Sequence, residues 1–157
     1  MTKRIFLPLS LTAAAVLISG CAAVSPPSLS LGEAELPCTV NTDGAECECT
    51  ALYLPDGSCR VAFTSPEVIS GLTAELSPSG SAGLSFGSLS CSGGSISLPP
   101  SSPAVIVYDV LRDISAGDKK DKPEKSDDGY IFSGSCGEHG YKAFADKEGK
   151  MTRLEIS

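Results

Sequence analysis

Leu36–Phe63 reads LPCTVNTDGAECECTALYLPDGSCRVAF. Leu36, Cys38 and Val40 recur with a period of two, as a half-buried strand requires. Asp43-Gly44 suits a tight hairpin, because glycine accepts a positive φ. Cys47, Cys49, Ala51 and Tyr53 then alternate with Glu46, Glu48, Thr50 and Leu52. Leu54-Pro55-Asp56-Gly57 is a type I turn signature with Gly57 as the bulge residue. This loop pairs Leu54 with Ser58. It brings Cys59, Val61 and Phe63 onto the face of Cys47, Cys49, Ala51 and Tyr53, and leaves Glu48, Arg60 and Thr64 on the other. The Asp43-Gly44 turn puts Cys38 opposite Cys49. A register that sorts apolar from charged residues in this way predicts a three-stranded antiparallel meander with several cysteines on its buried side.

The rest of the domain extends from this meander. Pro66 to Gly71 reads as a single helical turn or wide connection, with Ser65 as cap and Pro66 at its first position. Leu72–Leu76 and Leu84–Cys91 read as two strands around Pro78-Ser79-Gly80. Cys91-Ser92-Gly93-Gly94 breaks the run, and Ile96 and Leu98 suggest a further short strand. Ser102-Pro103 opens a helix on which Val107, Val110, Leu111 and Ile114 recur at helical spacing, and Gly117 stops it. Val105-Ile106-Val107 favours strand by propensity and pulls against that reading. The charged segment from Asp118 to Asp128 reads as a mobile loop. Tyr130, Phe132 and Gly134 begin a terminal meander, turned at Gly137-Glu138-His139-Gly140 and Asp146–Gly149 and closed by Met151–Ile156. The expected class is α+β, mainly β: an antiparallel sheet packed on one helix, in a single domain spanning residues 34–157.

Ahead of this domain, Lys3 and Arg4 precede an apolar run from Ile5 to Ile18, too short for the roughly 20 residues of a spanning helix. Ile18-Ser19-Gly20-Cys21 follows. These residues resemble the lipobox of bacterial prolipoprotein signals. The resemblance implies a signal peptide over residues 1–20 and a diacylglyceryl thioether on Cys21, with residues 21–33 forming a tether rich in Ser and Pro. The alternative is an ordinary secretory signal with a chance cysteine. Lipidation implies a cell-envelope protein held at the membrane and facing outside the cytoplasm, because two or three acyl chains suffice for stable anchoring.

Loss of the first 20 residues removes Lys3 and Arg4 and takes the net charge from −7 to −9. Such an acidic surface argues against nucleic acid and against electrostatic binding to anionic headgroups. Cys38, Cys47, Cys49, Cys59, Cys91 and Cys136 remain. An even number in an exported chain fits a disulfide framework, and buried thiols fit equally. Six cysteines allow fifteen connectivities, and spacing does not choose among them.

No catalytic set assembles. The only histidine, His139, sits in a glycine-flanked turn, a poor place for a base that must be held in position. Gly87-Ser88-Leu89-Ser90-Cys91 fails the nucleophile-elbow pattern at its fifth position. Cys47-Glu48-Cys49 lacks the second knuckle of a zinc site. Glu46 and Glu48 lie on an open strand face, where paired acids are solvated charge. Asp127-Asp128-Gly129 lacks the ligand spacing of a calcium loop. Neither a cofactor nor a metal is expected.

The segment from Phe63 to Leu72, together with Leu98-Pro99-Pro100 and the helix after it, resembles small lipoproteins of anaerobes, reduced relatives of the LolA/LprG-type carriers. That resemblance implies a curved, half-barrel-like sheet whose concave face holds acyl chains. The long N-terminal helix of those carriers has no counterpart here. The expected function is a non-enzymatic binding or scaffolding role, with a lipid or other hydrophobic ligand between sheet and helix. Phe63, Leu72, Leu84, Phe86, Val107, Leu111 and Phe132 would line that space. The alternatives are that these residues simply form the core, and that the chain is a structural or interaction subunit of the cell envelope with no small-molecule ligand.

Overall fold

The computed structural model describes residues 26–42, 44–92, 96–117 and 123–157. The signal sequence, Cys21, Asp43 of the first turn, Gly93-Gly94 and residues 118–122 of the charged loop lie outside the described residues. The elements in chain order are β1 (Leu36–Thr42), β2 (Ala45–Tyr53), β3 (Cys59–Ser65), a 3-10 turn (Glu67–Ile69), β4 (Leu72–Leu76), β5 (Ala82–Phe86), β6 (Leu89–Ser92), α1 (Pro103–Ala116), β7 (Glu124–Lys125), β8 (Tyr130–Cys136), β9 (His139–Ala145) and β10 (Met151–Ile156). They build one open sheet in the order β6-β5-β4-β3-β2-β1-β10-β9-β8-β7.

The meander forms in the expected register. Cys38 pairs with Cys49, Ala51 with Val61 and Tyr53 with Cys59. The Leu54 N–H donates to Ser58 O at 2.8 Å, and Gly57 takes a φ of 81° to close the loop. Cys38, Cys49, Ala51, Cys59, Val61 and Phe63 are buried, and Arg60 bonds Glu75 at 2.9 Å on the outer face. A bulge between Glu48 and Cys49 sets Ser65, not Thr64, opposite Glu48. A second irregularity lies between Met151 and Arg153. Bulges bend a strand and raise its twist, which curves the sheet.

The sheet is mixed, where antiparallel pairing alone was expected. β1 and β10 lie side by side in parallel, with Cys38 opposite Leu154 and Val40 opposite Ile156. Tight hairpins enforce antiparallel neighbours, but a parallel pair needs a long connection. Here that connection holds most of the chain, α1 included. The strands β1–β6 spread outward on one side of this seam, and β7–β10 on the other.

α1 lies in the concavity and touches β1, β2, β3 and β4 on one side and β8 on the other. Ala104, Ile106, Val107, Tyr108, Val110 and Leu111 are buried, so tertiary contact overrides the strand propensity of Val105-Ile106-Val107. Ser102 precedes the helix, but its hydroxyl makes no capping bond; its carbonyl accepts from Ile106 N–H at 3.0 Å. Gly117 ends the helix in the left-handed region at φ 72° and donates to Ile114 O.

Other local expectations change. Pro66 precedes the 3-10 turn instead of opening it, and no side chain caps it. Leu84–Cys91 is not one strand: Gly87-Ser88 turns it into the β5–β6 hairpin, with Phe86 opposite Leu89. Ile96 and Leu98 form no strand, although Ile96 O accepts the Ala82 N–H at 3.3 Å. His139 belongs to β9 opposite Cys136 and is half-buried, so the turn is Gly137-Glu138 alone. Within the expected tether, Ser30 bridges Lys150, and Leu29 and Leu31 pack on the core. Gly149 permits this approach, because a Cβ there would strike Ser28 O.

Candidate functional site

The seven residues expected around a ligand divide into three groups. Phe63, Val107 and Leu111 are buried at the sheet–helix interface. Leu72, Leu84 and Phe132 are half-buried and pack against that core. Phe86 is 52% exposed. The space between sheet and helix is therefore filled by these side chains. The void that reaches Leu111 is about 220 Å³ and lies at the rim, between Leu31, Leu36, Tyr53 and Met151. Ligand pockets usually run from about 300 to 1,000 Å³.

Three of the seven nevertheless form one surface. Leu72 opposes Phe86 and Ala74 opposes Leu84, so all four side chains point to the concave side. Across the Gly87-Ser88 turn, Phe86 opposes Leu89 and Leu84 opposes Cys91. Burial falls along this row as the sheet outruns its helix. Ala74 is 1% exposed, Leu84 intermediate and Cys91 exposed. Leu89 is 72% exposed and Val68, on the 3-10 turn, 86%. The Phe86 ring lies against Gly71, 3.6 Å from where a Cβ would be. The result is an apolar ledge on the inner face of β4–β6. Clustered apolar exposure of this kind marks an interaction site, where scattered single residues do not.

Neither the exposure of Leu89 nor that of Val68 was expected. For Leu89 the signal was available, since a Gly-Ser pair between alternating segments reads as a two-residue hairpin. Val68 carries no such signal; only the wide β3–β4 connection exposes it.

The thiols form a second cluster. Cys38, Cys47, Cys49 and Cys59 are buried thiols, Cys136 is half-buried and Cys91 is exposed. Cys38 and Cys49 share a side-chain hydrogen bond that holds the proton on Cys38 and lowers Cys49. Burial raises Cys47 and pushes Cys59 up to about 12, aided in both by the neighbouring Cys49. Among the described residues no group of three or more His, Cys, Asp or Glu side chains could hold a metal ion. The cluster packs as core.

Its titration has a consequence for stability. An unfolded thiol loses its proton near pH 8.5–9, but folded Cys59 keeps it to about 12. Between these values the native state binds more protons, so stability falls as pH rises, by up to about 1.4 kcal/mol per pH unit for this thiol. Below about pH 8.5 both states hold the proton and the dependence vanishes. The urea midpoint should drop between about pH 9 and 11, and Cys59→Ala should make that slope shallower, the remainder belonging to Cys38 and Cys47; an unchanged slope refutes the assignment.

His139 borders a cleft of about 620 Å³ with Ile106, Asp109, Cys136 and Glu138. Asp109 is already paired with Arg112 at 2.8 Å.

Comparison of the chain with family models, curated proteins and solved structures finds no match.

Proposed function

We propose that this chain is a membrane-anchored extracytoplasmic lipoprotein with a non-enzymatic binding role, acting through the apolar ledge on β4–β6. Ile18-Ser19-Gly20-Cys21 supports the anchor. The observation that carries the binding role is the exposure of Phe86 and Leu89 together on the concave face of the β5–β6 hairpin. A lipid chain or the apolar surface of an envelope protein suits that face. The filled sheet–helix interface favours docking on the ledge over enclosure beneath the helix.

Covering one Phe or Leu side chain contributes about 1.5–3 kcal/mol. The double variant Phe86→Ser/Leu89→Ser should therefore bind a fluorescent fatty acid at least about tenfold more weakly than the native chain. Both side chains are substantially exposed, so the fold should survive, as circular dichroism would show. Unsaturable binding to the native chain, or equal affinity in the variant, would sink the reading.

A further inference from the structure

We infer that the β6 edge is a self-association surface, on which a second copy of this chain adds its own β6 in antiparallel register. This rests on the ledge described above and names a partner that extends it.

The edge is unusually bare. β6 covers only Leu89–Ser92, and it is the last strand of the sheet on its side. Open edges are commonly blunted with lysine, proline or an inward charge. None is present in Leu89–Ser92, and from Leu76 to Tyr108 no residue is charged, in a chain of net charge −7. Like charge disfavours contact between two copies over most of the surface. The β5–β6 edge is where they approach without that penalty.

The register follows from the hairpin. Gly87-Ser88 is a two-residue loop closed by Phe86 and Leu89. In such hairpins the closing pair exchanges both backbone hydrogen bonds, and pairs then alternate along the ladder. Leu89 and Cys91 thus spend their backbone groups on β5. Ser90 and Ser92 direct theirs outward, to the open edge.

A two-fold axis through Cys91 aligns Ser90 of each copy with Ser92 of the other, satisfying these groups reciprocally. Cys91 then faces its own counterpart in a non-hydrogen-bonded pair, the closest cross-strand spacing. An axis perpendicular to the sheet keeps both concave faces on one side. The two ledges, each carrying Leu84, Phe86 and Leu89, then join into one apolar trough between two helices.

The test uses the chain from residue 21 onward with Cys21→Ala, so that neither lipid nor the apolar run Ile5–Ile18 drives association. Sedimentation velocity should show a dimer. Mild oxidation with copper phenanthroline should link it through Cys91 alone, as peptide mapping would show. Ser90→Pro removes an outward N–H, and Leu89→Lys places like charges at the joint; each should weaken the dimer at least tenfold, with circular dichroism unchanged. A chain that stays monomeric into the millimolar range, or a dimer linked through another cysteine, overturns the inference. If the monomer still binds the fatty acid probe at Phe86 and Leu89, the ledge reading survives that failure; a dimer without probe binding keeps the association and removes the ligand.

Discussion

Leu111→Ala should destabilise the domain by about 3–4 kcal/mol, within the 2–5 kcal/mol range for deleting a buried leucine side chain. Leu111 is 1% exposed and sits on α1, the only α-helix among the described residues, in contact with the concave sheet. The site has little means of collapsing. A void of about 220 Å³ already adjoins it, walled by Leu36, Ala51 and Tyr53, and the truncation enlarges that void. Cavity terms grow by about 24 cal/mol per Å³. Against a total stability of about 5–15 kcal/mol, the loss is large. Leu89→Ala is the matched control, since Leu89 is 72% exposed and its truncation should stay within about 0.5 kcal/mol. Urea unfolding of both variants decides the matter. A Leu111→Ala cost below about 1 kcal/mol would mean that α1 does not anchor the core.

Cys21→Ala should move the protein entirely out of the salt-washed membrane fraction, or leave it as unprocessed precursor. The anchor proposed here is covalent lipid, in which each buried methylene contributes about 0.8 kcal/mol. Nothing else on view replaces it. No helix among the described residues is long and apolar enough to cross a membrane. The net charge of −7 gives no attraction to anionic headgroups. The salt wash separates lipid anchoring from weak surface adhesion, which screening abolishes. Retention in the washed pellet of Cys21→Ala protein from which residues 1–20 have been removed would refute the anchor and with it the proposed compartment.

The parts of the fold legible in the sequence are those set by short-range chemistry. Asp43-Gly44 and Leu54-Pro55-Asp56-Gly57 specify loop lengths, and a known loop length determines which residues face one another. Hence Cys38 opposite Cys49 and Ala51 opposite Val61 could be placed before any coordinates. The helix was legible because four apolar residues recur on one stripe. The Gly87-Ser88 turn was also written in the chain, but between serine-rich flanks the alternation is weak and the two strands read as one.

The candidate site was legible only in part. Leu72, Leu84 and Phe86 were named as apolar and inward-facing, and they do share a face. What could not be read was where the helix ends its cover. Phe63 and Phe86 look alike in sequence, yet one is 5% exposed and the other 52%.

The sequence by itself determined the faces of the β1–β3 meander, its turn-set pairings, the helix and the lipobox resemblance, because each depends on neighbours within a few residues. Only the tertiary structure decided that β1 and β10 meet in parallel, that Leu29 and Leu31 dock on the core, and that the β5–β6 hairpin projects beyond α1. Those are contacts between segments far apart in the chain, and local periodicity carries no information about which distant surface will cover an apolar face.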